Sequence, residues 1–308
     1  MLDTTWQIAL FAYFVSGWFL RVVMFFIVPR DKEPASATAW LLLIWIEPVI
    51  GSILFAMFGQ PKLPKSRMQA QIEVDELTKK ELTELRKQKS TVFKVPHDPQ
   101  LKEIEKLVTA LGGLPSMDGN TVTIITDYAE MLQVQADAIN KAKEYVHFEY
   151  FIVALDKSTK PIFDAMERAV KRGVTVRVLL DRYSPTRYPG FKQMITKLNK
   201  IGVDWHYMLP YNLMPGKNFT RPDLRNHRKI LIIDGTVAYT GSPNIIQVDY
   251  HRSDGLIYEE MFLKLTGPIV WQCNNVFRSD WYAETRQPLL DIVEDEDIPK
   301  PTGRSLVQ

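Results

Sequence analysis

Cysteine is nearly missing from this chain: Cys273 stands alone among 308 residues. An intrachain disulfide is therefore excluded, as is a Cys-rich metal site, and nothing in the sequence calls for an oxidising compartment. An excess of charge of either sign is also lacking. Lysine and arginine total 38 against 36 acidic residues, a formal charge of +2. A balance of this kind does not demand a nucleic-acid partner, although a local basic patch is compatible with it. No internal repeat is visible, which removes solenoid and propeller architectures. The length suits one globular core with a membrane element, or two small domains.

Long apolar runs are present, and both lie at the N-terminus. Trp6 to Val28 is interrupted only by Gln7, Ser16 and Arg21, and Ala39 to Phe58 by Glu47 and Ser52. A helix over the first run extends ~34 Å, enough for a hydrocarbon core of ~30 Å. The polar stretch Pro29-Arg30-Asp31-Lys32-Glu33-Pro34 between the runs has proline at both ends and suits a tight reversal. The expectation is a two-helix transmembrane hairpin over residues 1–59. A secretory signal fits less well, because no basic residue precedes Trp6 and a second apolar run follows. Lys62, Lys65 and Arg67 after the second run outweigh Arg30 and Lys32 in the turn, so the expected topology is multi-pass in the cell membrane with the bulk of the chain cytoplasmic. Arg21 and Glu47 fall at similar depths in such a hairpin, and pairing is the expected remedy for two charges in lipid.

Residues 60–117 read as a charged linker punctuated by Pro61, Pro64, Pro96 and Pro99. Met68 to Lys89, rich in Glu, Lys, Leu and Gln, is expected to be a solvated juxtamembrane helix. Attraction to anionic headgroups and a plain soluble spacer are both open readings, the spacer being preferred. From residue 118 to 287 the pattern alternates between strands and helices. The predicted strands are Thr121–Thr126, Tyr145–Val153, Val174–Asp181, Val203–Leu209, Lys229–Ile233 and Val237–Thr240; the predicted helices are Tyr128–Lys143, Pro161–Arg172, Phe191–Lys200 and Pro268–Trp281. This predicts an α/β sandwich, a mixed β-sheet flanked by helices. Residues 288–308 form an acidic, proline-containing tail or truncated linker, whose last apolar residues Leu306 and Val307 are able to open another strand.

The chemistry is concentrated in Asn226 to Asn244, NHRKILIIDGTVAYTGSPN. Side chains two apart on a strand share a face, so His227 and Lys229 point together, with Ile230 and Ile232 directed to the other side. The next strand ends at Gly241-Ser242-Pro243-Asn244, where glycine permits close backbone approach and a hydroxyl and an amide follow. A nucleophile or acid, a fixed cation and two neutral donors around one point suit an anionic phosphoryl transition state with no metal and no organic cofactor. A lone histidine is more often structural than catalytic. Here His-x-Lys, four further residues and Asp234, then six residues and Gly-Ser-x-Asn, make a long and specific spacing.

That spacing is the HKD signature of the phospholipase D superfamily. With the N-terminal apolar runs, the phrase DLRNHRKILIID, AYTGSPN, TGPIV and RSDWYAET, the chain resembles bacterial cardiolipin synthases, specifically their N-terminal half. The resemblance implies a phospholipase D-like fold and a phosphatidyltransferase that joins two phosphatidylglycerols and releases glycerol. It implies that His227 attacks phosphorus or protonates the leaving alcohol, and that Lys229, Ser242 and Asn244 hold phosphate oxygens beside Gly241. Asp234 matches the motif but in the family supports the turn. Glu260, seven residues before Gly267 where the family usually has Asp, is the candidate to hydrogen-bond His227 and fix its tautomer, a plain surface or turn carboxylate being the other open reading. The family uses two such motifs per site, and this sequence holds one: His97, His147, His206 and His251 have no lysine two residues on. A second HKD unit, a copy of this chain or a separate half, is therefore the expected partner, with phospholipid and membrane. A homodimeric, membrane-tethered phosphodiesterase of lipid or nucleic acid is the alternative, favoured if Arg221, Arg225 and Arg228 form a basic groove; a catalytically inactive half is a third reading. No nucleic-acid partner is favoured.

Overall fold

The computed structural model describes residues 4–59, 65–88, 92–182, 185–209, 224–250, 257–289 and 298–308. Two compact units divide the chain, residues 1–63 and 64–308.

The first unit is helical. Helix α1 (Thr4–Ile27) passes into a 3-10 turn, and Thr4–Asp31 together is long and apolar enough to cross a membrane. Its side chains are bare on most sides: Phe11 is 70% and Phe19 67% exposed. The second apolar run is not the single helix expected from its composition. It breaks into α2 (Pro34–Ile46) and α3 (Pro48–Leu54), the latter continued by a π turn to Gly59. Each piece is too short to span alone by the same criterion. The cause is local. Pro48 has no N–H for the carbonyl of Ile44, and Glu47 adopts an extended backbone (φ −133°, ψ 94°) between the helices.

The break also redirects the two charges. The Arg21 guanidinium donates through Nε (3.1 Å) and Nη2 (2.9 Å) to the Trp45 carbonyl, which lies in the interrupted turn. Glu47 accepts instead from the Tyr13 hydroxyl. The expected Arg21–Glu47 ion pair does not form, because each group meets a nearer need.

The second unit carries an eight-stranded mixed sheet in the order β4-β3-β2-β5-β6-β7-β1-β8. Its strands are β1 (Met117–Ile125), β2 (Tyr145–Tyr150), β3 (Thr175–Asp181), β4 (Asp204–Met208), β5 (Lys229–Ile233), β6 (Val237–Gly241), β7 (Phe262–Thr266) and β8 (Ser305–Val307). β2, β3 and β4 run parallel, and the remaining neighbours are antiparallel. Helices α7 (Lys160–Lys171) and α8 (Phe191–Ile201) supply the crossovers of the parallel part, α6 (Tyr128–Lys141) leads from β1 to β2, and all three cover one face. Helix α9 (Ile269–Thr285) covers the other, with α4 (Lys65–Gln88) packed outside it. Both faces are therefore buried at the central strands β2 and β5, whereas β4, β8 and much of β1 stay exposed or half-buried. On β5, Leu231 and Ile233 join the core under α6 and α7, and Ile230 and Ile232 the core under α9. Position 229 shares the parity of the first pair, which puts Lys229 at the margin of that layer.

Two elements, α5 (Pro99–Gly112) and β7, exceed the sequence expectation, and a third, β8, forms where the tail offered a strand. Helix α5 lies within the stretch read as linker; Asp98 caps it through Gln100 N–H and Leu101 N–H. β7 was not predicted. β8 opens in the tail where Leu306 and Val307 stand, and Asn120 fastens it by donating to the Met117 and Ser305 carbonyls and accepting from Ile269 N–H.

Candidate active site

Lys229 is the half-buried first residue of β5, preceded by the exposed His227 and Arg228 and the buried Asn226. His227 is exposed, and its ring lies against Phe151, the residue following β2, with centroids 3.8 Å apart. The Lys229 ammonium sits 5.7 Å from the centre of the same Phe151 ring and donates to the His227 carbonyl at 2.8 Å. One aromatic ring thus carries the imidazole on one contact and the cation on another. Burial lowers the Lys229 ammonium from its ordinary value, and the carboxylate of Glu260 opposes that shift. Glu260 stands just before β7 and acts on Lys229; it makes no hydrogen bond to His227 here.

The end of β6 brings that acidic segment close. A side-chain carbon on Gly241 would lie 2.3 Å from the Met261 carbonyl oxygen, so only glycine fits. Ser242 completes the clasp: its N–H donates to the Met261 carbonyl (3.0 Å), and its hydroxyl accepts from Met261 N–H (3.0 Å). Asn244 is buried and faces inward. Its Oδ1 accepts from Ile152 N–H (3.2 Å), its Nδ2 donates to the Tyr250 hydroxyl (3.2 Å), and its backbone carbonyl accepts from Tyr128 (2.8 Å). In this arrangement Ser242 positions the Glu260 segment and Asn244 positions the Phe151–Ile152 segment.

Asp234 lies at the other end of β5 from Lys229. It has φ 49°, a conformation Asp tolerates, and its carboxylate accepts from the N–H groups of Lys143, Glu144 and Tyr145, each at 2.9 Å. It anchors the start of β2 and is remote from the imidazole.

Behind the motif is an acidic cluster that sequence reading missed. Glu149 on β2 is fully buried and faces α9, where it meets Asp280. Asn226 Nδ2 donates to Glu149 (2.9 Å) and Asp280 (3.1 Å) together. Arg228 and Arg67 both reach Asp280, and Arg67 also pairs with Glu284. An acidic residue inside the aromatic strand YVHFEYF was the available signal, since a charge there must be buried and partnered. Phe151, in the same strand sequence, had none.

The basic groove expected of a nucleic-acid enzyme does not appear among the described residues. Arg225 is buried, with Asp181 3.8 Å away and the Leu209 carbonyl accepting at 3.0 Å, and Arg228 is held by Asp280. Arg221 lies outside the described residues, as does His251. His147 is a core residue stacked on Phe277 and bonded to Asn274, and burial pushes its pKa down to about 3. His206 pairs with Asp204. His97 carries no lysine partner in sequence and lies in the segment before α5.

Residues 136–281 match the family model described as cardiolipin synthase, PLD-like domain. Over 287 residues the chain is 27% identical to cardiolipin synthase A of Klebsiella pneumoniae, covering 92% of this chain and 57% of the relative. Cardiolipin synthase 1 of Bacillus anthracis is 27% identical over 290 residues, covering 92% and 56%. The chain thus spans little more than half the length of these curated relatives. Among solved structures, the phospholipase D family member Nuc from Salmonella typhimurium superposes with a TM-score of 0.40 at 15% identity, covering 54% of this chain and 96% of that one. NucT from Helicobacter pylori gives 0.42 at 17% identity, covering 54% and 98%.

Proposed function

We propose that the chain, whose residues 136–281 match the cardiolipin synthase PLD-like domain model, is the membrane-anchored, single-motif unit of a phosphatidyltransferase that makes cardiolipin from two phosphatidylglycerols. The observation that carries the reading is the pairing of His227 and Lys229 over Phe151, with the imidazole open to solvent on its far side.

In this reading His227 attacks the phosphorus of one phosphatidylglycerol. A phosphorus–nitrogen bond forms and the bond to the headgroup glycerol oxygen breaks. That oxygen takes a proton from an acid on the opposite side and leaves as glycerol. The primary hydroxyl of a second phosphatidylglycerol then gives its proton to the same group and displaces His227, yielding cardiolipin and free enzyme. Lys229 neutralises the phosphoryl oxygens through both steps, and the Glu260 carboxylate opposes the lowering of its pKa by burial. The opposite acid belongs to a second HKD unit, because the sequence holds one motif and in-line displacement needs a group on each side. The apolar helix α1 anchors the unit beside its substrate, and the hairpin over residues 1–59 contributes its broken second arm to the same membrane element.

The test is product formation in phosphatidylglycerol vesicles. The chain alone is expected to give little or no cardiolipin, and co-expression with a second HKD unit to raise it strongly; His227→Ala abolishes it in either setting. Efficient synthesis by a demonstrated monomer would overturn the two-unit reading.

A further inference from the structure

Helix α5 is built inside out for a soluble protein. Leu101, Ile104, Leu107, Val108 and Leu111 fall on one side at helical spacing, within an arc of roughly 120°. All five are exposed, from 42% at Val108 to 80% at Leu111, and the helix has no buried residue at all. Its polar side is what fastens it. Glu105 accepts from the hydroxyls of Thr109 (3.0 Å) and Ser116 (3.3 Å), and Gln308 donates to Thr109 (2.8 Å) and to the Leu114 carbonyl (3.1 Å). A helix held by its hydrogen-bonding face with its aliphatic face outward leaves a contiguous patch that water disfavours.

We propose that α5 is a bilayer-surface helix, whose aliphatic stripe seats at the acyl boundary of a phospholipid membrane. The composition of the stripe selects this occupant. It is leucine, isoleucine and valine only, whereas the centres of protein interfaces are enriched in aromatic residues, methionine and arginine. The aliphatic face is opposed by the charged side chains of Lys102, Glu103 and Lys106, with Glu105 beside them, which gives the amphipathic division of a helix able to lie in a membrane interface. The same chain carries a helix long and apolar enough to span a bilayer, so the second unit stays within reach of one.

One end of the stripe, Leu111, borders a cleft of about 270 Å³ between α4, the end of α5 and α9, whose lining is mixed, with Val74, Leu114 and Val276 beside Asp75, Lys79 and Asp280. The inference rests on the membrane-lipid reading of the function, but it adds a second, peripheral contact to the anchor.

The experiment uses the full chain in a Cys273→Ser background. Single cysteines replace Ile104, Leu107 or Leu111, and Lys102 or Lys106 for comparison, each labelled with an environment-sensitive fluorophore. The probe is a vesicle of equal parts phosphatidylglycerol and phosphatidylethanolamine, some bearing a nitroxide quencher on the acyl chain. Labels at 104, 107 and 111 are expected to blue-shift and lose roughly half or more of their emission to the quencher, and labels at 102 and 106 to do neither. Equal behaviour at 107 and 102 overturns the proposal. So does a blue shift at 107 without quenching, which would mean that a second copy or second unit covers the stripe. Flotation of each labelled chain reports anchoring separately, so failure of the membrane reading is distinguishable from failure of the α5 contact. The positions are exposed, and circular dichroism of each variant confirms that the fold is kept.

Discussion

Asn226 holds the buried carboxyl groups of Glu149 and Asp280 with one amide nitrogen, 2.9 and 3.1 Å away, one residue before His227. Two carboxyls that close, out of water, do not both ionise. Burial pushes the Glu149 carboxyl well above the usual carboxylate range, and Asp280 reinforces the shift; Arg228 and Asn226 oppose it. The guanidiniums of Arg67 and Arg228 both pair with Asp280. Glu149 is then the neutral member, its carboxyl hydrogen-bonded to Asp280.

An amide imitates a neutral carboxylic acid, which makes Glu149→Gln the informative change. A raised folded-state pKa means that this group's contribution to stability is fully present below its unfolded value near 4.5 and is lost as pH rises through the folded value. The wild-type chain should therefore lose stability relative to Glu149→Gln as pH rises above that point. Denaturant unfolding across a pH series measures the gap, and a gap that does not widen with pH would show Glu149 to be ionised. Glu149→Lys, which buries a cation beside Arg228, should fail to fold.

Asp234→Ala removes the acceptor for three backbone N–H groups at the start of β2 and a residue tolerant of positive φ. The site is only partly buried, so the expected loss is roughly 2 kcal/mol of stability rather than the sum of three ionic hydrogen bonds. Asp234→Asn keeps an acceptor and the backbone preference and should lose less. Equilibrium unfolding orders the three proteins. Equal stability of all three would remove the clasp.

Much of this was legible in advance, and the failures have identifiable causes. The spacing from His227 to Asn244 located the site because it fixes residue types at separations that chance seldom meets. It did not say that Asn244 would turn inward to Ile152, since facing is set by tertiary neighbours. The α/β alternation was readable because β3, α7 and α8 have strong periodicity and glycine stops at Gly173 and Gly202. β7 was missed because Phe262–Thr266 is short and has a lysine at its centre; pairing to β6 and β1 on both sides makes it a strand. Helix α5 was hidden by its prolines, which read as linker punctuation although Pro99 stands at the first turn, where proline is favoured. Pro48 was the opposite error: hydropathy carried the helix through a residue that ends it.

Lys229 and Glu260 give a pH signature. Burial lowers the lysine and the Glu260 charge raises it, so Glu260→Gln should lower it further. If the protonated lysine stabilises the transition state, the alkaline limb of the pH–rate profile moves to lower pH in Glu260→Gln, in whichever assembly is active. Lys229→Ala should cost roughly 3 kcal/mol of transition-state stabilisation, as for loss of one preorganised oxyanion contact. An unmoved alkaline limb would detach Glu260 from the lysine and return it to the role of histidine partner.

The interrupted second arm of the N-terminal unit carries the final test. Arg21 satisfies the Trp45 carbonyl and Tyr13 satisfies Glu47, so the two charges have different partners. Arg21→Leu leaves a carbonyl of the broken turn unbonded in apolar surroundings, which is costly where water is scarce. Adding Glu47→Leu does not repair that carbonyl, and it strands the Tyr13 hydroxyl as well. The double variant should therefore be no more stable than Arg21→Leu in a detergent-unfolding assay. Tyr13→Phe with Glu47→Leu should behave differently: each single change leaves one unpaired polar group, the double change leaves neither, and a positive coupling results. Recovery of the Arg21→Leu loss by Glu47→Leu would instead establish a direct ion pair and place the helix break outside the working structure.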